Sequence, residues 1–337
     1  MSAPAFVWRI VASAAFVLAS APAHAQLDYS AYGVLDLSIG RFQPSGFVKD
    51  DRFNSNSLSA SFVGVGASYG FAGGWKPGIN LETFLRFQDW DYGRSDADPF
   101  LSRNAFVSLG SDYGLLRVGR LQSYLFEQTT RFNAFGNSVA FSPAVRHLLL
   151  SGGLEGVQGD FYWDRAVSYS TPRFENGLSG NLMYALGSGD RRGDYAGGYV
   201  LYSRGVFAVA LGAQRVHINN GIDDETDETA VQLGASYNFG LVRAFAQHTR
   251  IRDRGIEVRS HSSSAGVSVP AGDGNVLAQI AYTSGRGPAV ERRHTTISLG
   301  YVYAYDSLTS IYVLGSDDRV RNQTRGVSYA VGVRYTF

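Results

Sequence analysis

The chain has 337 residues, no cysteine and a formal net charge of +1. Without cysteine there is no disulfide framework, and a chain this long can hold its fold without one. Near-neutral charge gives no overall bias toward nucleic acid. At the N-terminus, Arg9 is the only charge before Asp28, and Ile10 to Ala21 is an apolar, alanine-rich run. That run is too short to span a bilayer as a helix. Ala23-His24-Ala25 matches a small-residue cleavage site, so residues 1–25 read as an export signal and the mature chain is expected to start at Gln26. The alternative, an N-terminal anchor, asks for a longer apolar run. Losing Arg9 with the signal brings the net charge to zero, and only Lys49 and Lys76 are lysines among the basic residues. Arginine keeps its charge in any environment, which suits a fixed field better than a titratable switch.

From Gln26 onward the hydrophobic period is two almost everywhere. Ile79, Leu81, Leu85 and Phe87 stand opposite Asn80, Glu82, Arg86 and Gln88. Val231, Leu233, Ala235, Tyr237 and Phe239 alternate with Gln232, Gly234, Ser236 and Asn238. Ile297, Leu299, Tyr301, Tyr303 and Tyr305 share one face. In the last segment Val327, Tyr329, Val331, Val333, Tyr335 and Phe337 share a face, opposite Ser328, Ala330, Gly332, Arg334 and Thr336. Leu308 to Leu314 is ambiguous. Sixteen strands are expected. They start near Leu27, Ser57, Trp75, Phe100, Tyr113, Tyr162, Leu178, Ala196, Val206, Thr229, Leu241, Ile256, Asn275, Glu291, Ser307 and Arg325. Connections alternate between short turns, such as Ser111-Asp112, Arg204-Gly205, Phe239-Gly240 and Asp306, and longer stretches. The long ones run near Phe42 to Asn56, Asp89 to Pro99, Gln122 to Phe161, Asn219 to Glu228 and Ser316 to Thr324.

Short turns at one rim and long loops at the other are the layout of an outer-membrane β-barrel. A lipid-exposed backbone must satisfy its own hydrogen bonds, which a closed sheet does and an open edge does not. An even strand number closes the sheet with both termini on one rim. The polar faces then point inward, and about sixteen strands leave an aqueous lumen. Aromatic pairs near strand ends, such as Tyr69 with Phe71 and Tyr335 with Phe337, suit the interfacial girdles of such a barrel. The competing reading is the core of a soluble β-sandwich. A sandwich of this length would divide into domains with linkers, and no Pro- or Ser-rich linker interrupts the chain.

These segments resemble the Gram-negative general diffusion porin family, in its β-proteobacterial form, loosely over the whole mature chain. Tyr32-Gly33-Val34-Leu35-Asp36 resembles the family's first strand. Phe62 to Trp75 with Ile79-Asn80-Leu81-Glu82 resembles its second hairpin. Arg103 to Gly110 and Tyr113 to Arg120 are close to the fourth and fifth strands. Ala166 to Pro172 resembles the sixth, with Arg165-Ala166 where the family has Asn-Ser. The resemblance implies an all-β, sixteen-stranded antiparallel barrel spanning 26–337, a homotrimer, and a third loop, about 122–160, folded into the lumen as a constriction. It also implies a passive channel for ions and small hydrophilic solutes, set in outer-membrane lipid and lipopolysaccharide, with no cofactor. Terminal Phe337 with Tyr335 is similar to the signature read by the barrel-assembly machinery.

Selectivity in a pore follows diameter and lining charge. The family opposes basic wall residues to acids on the inward loop. The wall candidates are Arg86, Arg103, Arg117 and Arg120, with Glu82 and Asp36. The loop candidates are Glu127 and Arg131. Arg117 and Arg120 have opposite parity, so a bulge at Gly119 is expected to turn Arg120 inward; otherwise Arg117 lies at the short-turn interface, where a lipid-facing arginine is cheap. Arg334 is expected to point inward near the short-turn rim. The family's acidic loop motif is not evident. Arg146 joins Arg131 on the loop, and Glu155 and Asp160 come late, near the rim. Weak anion selectivity is the expectation.

The acidic run Asp223, Asp224, Glu225, Asp227 and Glu228 reads as a solvated loop, or as a divalent-cation bridge to lipopolysaccharide. Arg250, Arg252, Arg254 and Arg259 read as solvated, or as contacts to lipid phosphate. His147, His217, His248, His261 and His294 have no close ligand spacing, so no metal is assigned. A barrel enzyme would need a nucleophile–base or acid–base constellation, and none stands out. A substrate-specific porin is the alternative within transport, with Tyr32 and Phe84 as inward aromatics.

Overall fold

The computed structural model describes residues 26–150, 154–186, 193–218, 226–288 and 290–337; the expected export signal, residues 1–25, and Asp223 to Glu225 lie outside them. The strands are β1 Gln26–Phe42, β2 Asp50–Asn54, β3 Phe62–Gly70, β4 Lys76–Arg86, β5 Asp91–Tyr92 and β6 Ala105–Ser111. They continue as β7 Gly114–Gln122, β8 Tyr162–Ser170, β9 Leu178–Ala185, β10 Tyr195–Arg204, β11 Phe207–Ile218 and β12 Thr226–Asn238. The last are β13 Arg243–Asp253, β14 Val258–Ala271, β15 Gly274–Gly287, β16 Val290–Ala304, β17 Thr309–Val320 and β18 Gly326–Thr336. Between β7 and β8 stand a helix, α1 Tyr124–Arg131, a short turn, α2 Pro143–Val145, and a π-helical turn over Arg146–Leu150. Among the described residues no helix is long and apolar enough to cross a membrane.

All pairings are antiparallel, and the sheet closes where β1 meets β18, with Leu35 opposite Tyr335 and Ile39 opposite Val331. β2 and β3 together form one staggered wall strand beside β1, and the two-residue β5 only edges β4. That leaves the sixteen-stranded closed barrel the periodicity predicts. Closure removes every edge that lipid would leave unsatisfied.

Two expected starts shift. The second wall strand is interrupted after β2 and resumes at Phe62 rather than near Ser57, because the carboxylate of Asp36 takes the N–H groups of Ser57 and Ser59 at 3.0 and 2.9 Å and of Leu58 at 3.3 Å. Those donors are then lost to the ladder with β1. The fourth begins at Ala105 rather than Phe100; residues 100–104 make only scattered bonds to β4, such as Glu82 N–H to the Asn104 carbonyl at 2.8 Å.

The alternation sorts each strand between lipid and interior. On β18, Val327, Tyr329, Val331, Val333 and Tyr335 are exposed, whereas Ser328 and Ala330 are buried. On β12, Val231 and Leu233 are exposed while Ala230 and Gln232 are buried. Outward residues have lipid for solvent, so their exposure carries no penalty. The inward rows are small and polar, and many are buried because the segment between β7 and β8 lies against them.

Candidate pore constriction

That segment starts with a capped helix. The Ser123 hydroxyl accepts the Phe126 N–H at 3.3 Å, satisfying one of the free donors at the start of α1. Its buried face rests on β10 to β12. The Tyr199 hydroxyl donates to Glu127 at 2.7 Å, and the Gln128 side-chain amide donates to the carbonyls of Ala210 and Gln232 at 3.2 and 3.0 Å. Gly234 provides a flat seat: a Cβ there would collide with the ring of Phe132. The chain then runs along the interior. Gln247 on β13 donates to the carbonyls of Thr129 and Phe132. Phe135 packs with Tyr312 and Leu314 of β17, and Phe141 against Phe42 of β1, ring centroids 6.0 Å apart. On the way back, His147 bonds Thr283 and Thr296 at 2.9 and 2.7 Å. Glu155 pairs with Arg292 at 2.9 Å, and Glu228 accepts the Gln158 N–H. Three fully buried phenylalanines, Phe132, Phe135 and Phe141, contribute roughly 1.5–3 kcal/mol each to this docking.

Between α1 and the opposite wall an opening is left, a cavity of about 550 Å³ whose lining includes Phe84, Arg94, Arg103, Phe126, Thr130 and Tyr162 and no carboxylate. Arg103 lies over the Phe62 ring at 3.9 Å and pairs with Glu82. Glu82 is buried and also accepts from the Tyr32 hydroxyl at 2.7 Å and the Asn104 amide at 2.9 Å. Arg94 stacks on Phe161 at 4.9 Å and is held by Asp98 at 2.7 Å and Asp160 at 2.6 Å. Burial opposes the charge on Asp160, but the hydrogen bonds and field of Arg94 outweigh it and keep the carboxyl below the usual range. Asp98 is depressed in the same balance. A neighbouring hollow is lined by Lys49, Asp50, Arg52 and Arg146.

The structure brings Glu82 and Arg103 together and disperses the other candidates. Arg117 points inward, with Ser108 as its register partner, and donates to the hydroxyls of Tyr124 at 2.9 Å and Ser170 at 3.3 Å. The irregularity near Gly119 is present, but the extra residue is on β8: Gly119 faces Ala166, Leu121 faces Trp163, and Asp164-Arg165 bulge between them. β7 keeps its unbroken register with β6, where Ala105 is opposite Arg120. Arg120 is therefore not turned inward by its own strand. It is buried, donating to the Ser102 carbonyl at 3.0 Å and pairing with Asp164 at 2.7 Å. Asp36 is not a lining residue either. It is fully buried, because its carboxylate is saturated by backbone donors and by the Tyr312 hydroxyl at 2.7 Å. Arg86 sits at the loop end of β4 among Asp89, Asp91 and Asp96. Glu127 and Arg131 pair across one helical turn at 3.8 Å. Arg334 reaches the hydroxyls of Ser59 and Ser310. Tyr335 faces outward, and Phe337 exchanges backbone hydrogen bonds with Gly33 at 3.0 and 3.2 Å.

Two features escaped sequence reasoning. Arg94 is in a loop, where alternation carries no signal. His147 and His294 are far apart in the chain yet stack with centroids 3.8 Å apart, beside Asp318, which accepts from His294 at 2.7 Å and faces Arg146 at 3.7 Å. Ligand atoms of His147, His294 and Asp318 lie within 4.8 Å of one another, and both ring nitrogens of His147 are taken by Thr283 and Thr296.

A closed sixteen-stranded barrel with apolar outer faces and a connection folded through its interior defines the class of membrane channels. Within it, the Gram-negative porin family model matches residues 12–336, and the chain belongs to that family of outer-membrane porins. Outer membrane porin protein 32 of Delftia acidovorans is 29% identical over 311 residues, covering 88% of this chain and 86% of that protein. The major outer membrane protein P.IB of Neisseria meningitidis is 22% identical over 96% of this chain and 98% of its own length. Among solved structures, an anion-selective porin from Comamonas acidovorans matches with a TM-score of 0.79 at 23% identity, over 93% of this chain and all of that one. A trimer form of OmpT of Vibrio cholerae matches with a TM-score of 0.69 at 15% identity, over 93% of this chain and 99% of that one.

Proposed function

We propose that this porin is an anion-preferring passive channel, without enzymatic activity, and that solutes pass between α1 and the wall bearing Arg103. The carrying observation is the lining of the opening: the guanidinium groups of Arg94 and Arg103 stand on it, and no carboxylate does. Their partners Glu82, Asp98 and Asp160 are not among its lining residues; Asp98 and Asp160 line the adjoining hollow with Arg120. Arg117 and Arg334 add inward cations whose hydrogen-bond partners are hydroxyls. A charge at a narrow, low-dielectric passage acts more strongly than in open water. The anion-selective porin of similar fold supports the reading. A homotrimer follows the same family pattern, as does export through residues 1–25. Reversal potential across a planar bilayer in a KCl gradient tests the selectivity; a cation-selective sign overturns it.

A second reading, selection of organic anions, is favoured by Phe84, Phe126, Phe161 and Tyr162 on the same lining. Rings beside guanidinium groups hold a carboxylate on an apolar body better than they hold chloride. Block of the chloride current by aromatic carboxylates, and not by acetate, distinguishes the two.

A further inference from the structure

The acidic run that ends at Glu228 does not stay in solvent. β12 takes up its last two acids and turns them to opposite sides. Asp227 faces outward and pairs with Arg215 at 3.0 Å. Glu228 faces inward with Ala230 and Gln232, and is 1% exposed. Its register partner on β13 is Asp253, also inward and 2% exposed. Two buried carboxyls therefore stand directly opposite each other on one face, with Cβ atoms about 5 Å apart. Their row is at the loop end of both strands, beside outward Asp227 and one step above outward Arg252. It is thus clear of the lipid band, where outward charge is costly.

No cation offsets the pair. On the β11 side the neighbour of Glu228 is the buried Val216, and from the inward connection it meets Gln158. The charged group acting on it is Asp253. Among the described residues neither acid has an ion-pair partner. Their backbone donors are shared unequally. Asp253 Oδ1 accepts the N–H groups of Gly255 at 2.9 Å, Asp227 at 3.3 Å and Ile256 at 3.4 Å. Such donors favour the ionised form. Asp253 Oδ2 is buried with no hydrogen-bond partner. Glu228 has one N–H, that of Gln158, at 3.1 Å from both of its oxygens. Two like charges this close in a dry site do not both ionise. The better-solvated Asp253 keeps its charge, and Glu228 keeps a proton.

We propose that Glu228 and Asp253 share this one proton, carried by Glu228 and donated to the free Oδ2 of Asp253, and that it fastens the return limb of the inward connection to the wall. The other oxygen of the neutral Glu228 accepts the Gln158 N–H, so one side chain ties Gln158 to β13. The fastening is linked to pH. Burial above all pushes the Glu228 carboxyl up to about 8; the Gln158 N–H opposes this and the charge of Asp253 adds to it. A released Glu228 ionises near its ordinary value of about 4.3. The fastening is therefore complete below that value and is lost as pH rises through about 8. Glu228 then gives its proton to solvent, two opposed charges push apart, and Gln158 is released. The device rests on the docked connection and not on ion selectivity, so a failed selectivity measurement leaves it standing.

The test is infrared spectroscopy of the folded protein from neutral to alkaline pH, a range in which histidine stays largely neutral. The carbonyl stretch of a neutral carboxylic acid is the signal. A band that bleaches as pH rises is expected in the parent and is expected to be absent from Glu228→Gln. Glutamine can still accept from Gln158 and donate to Asp253, so this variant should fold, as heat-modifiable mobility reports. In single-channel records over the same range, gating noise should rise in the parent and stay flat in the variant. Should Glu228→Gln not fold, Asp253→Asn removes the opposing charge and is expected to move the bleaching to lower pH. A parent without a neutral-acid band, a band untouched by Glu228→Gln, or bleaching unmoved by Asp253→Asn overturns the proposal. So does loosening of the parent by a chelator at constant pH, which would put a cation between the acids in place of the proton.

Discussion

The hydroxyl of Tyr312 on β17 donates a 2.7 Å hydrogen bond to the carboxylate of Asp36 on β1, bridging the two strands that flank β18 at the closing seam. The same carboxylate holds the backbone of Ser57, Leu58 and Ser59. One buried acid thus ties barrel closure to the inward turn of residues 55–61.

Asp36→Ala is expected to leave these donors unsatisfied in a buried site, at about 1–3 kcal/mol for each one that finds no water. The barrel should unfold at lower temperature in heat-modifiability gels, and the 55–61 segment should become sensitive to protease. Asp36→Asn keeps an acceptor and should lose less. Parent-like stability of the alanine variant would contradict the anchoring role.

Glu82 pairs with Arg103 and is not among the lining residues of the opening. Glu82→Gln is expected to strengthen the anion preference, and Arg103→Gln to weaken it, with Arg103→Glu moving the reversal potential furthest toward cations. Each is read in a KCl gradient. Unchanged potentials in all three would place the limiting charge elsewhere.

Burial, and then the neighbouring imidazole of His294, hold His147 well below its ordinary value of 6.5. Arg146 and Arg292 also oppose the proton, and Asp318 favours it. An unfolded or undocked His147 takes up its proton first as pH falls. The contribution of this anchor is therefore complete above about 6.5 and is lost progressively below it. Mild acid should loosen the inward segment, seen as increased gating noise in single-channel records. His147→Gln can still bond Thr283 or Thr296 but does not titrate, and should flatten the pH response.

Gly234→Val puts a branched side chain where the Phe132 ring now lies. Overpacking of this kind costs about 1–3 kcal/mol. The expected result is a displaced α1 and an altered single-channel conductance, with the outer wall and its assembly intact.

The barrel was legible because its strands face two solvents. Every second residue meets lipid, and the period survives in segments such as Val327 to Phe337 and Val231 to Phe239. Each expected start lies within a few residues of a wall strand, and the two largest offsets, at Ser57 and Phe100, occur where side chains or loops interrupt the ladder. The constriction was less legible. Glu82 sits on β4, where parity gave its direction; Arg103 lies just ahead of β6, was chosen from the family resemblance, and meets it. Asp36 has the same inward parity, yet parity does not say whether a side chain meets water or a crossing segment. Arg120 was misplaced because the extra residue sits on the neighbouring strand, where Arg165 adopts a positive φ of 50°. The helix Tyr124–Arg131, capped by Ser123, was not expected within that connection. The seats that helix takes on Gly234, Gln232 and Gln247 belong to tertiary structure alone.

The segment between β7 and β8 narrows what the barrel's wall leaves open. Many inward wall positions are glycine, serine, threonine and glutamine, with rings such as Tyr199 and Tyr312 among them, and Phe132, Phe135 and Phe141 are delivered to them by a single connection. The bore is thus set by a removable part. Substitutions in that connection can widen, narrow or recharge the passage without disturbing the face that lipid sees, so one shell can be refitted for new solutes at little cost to its insertion.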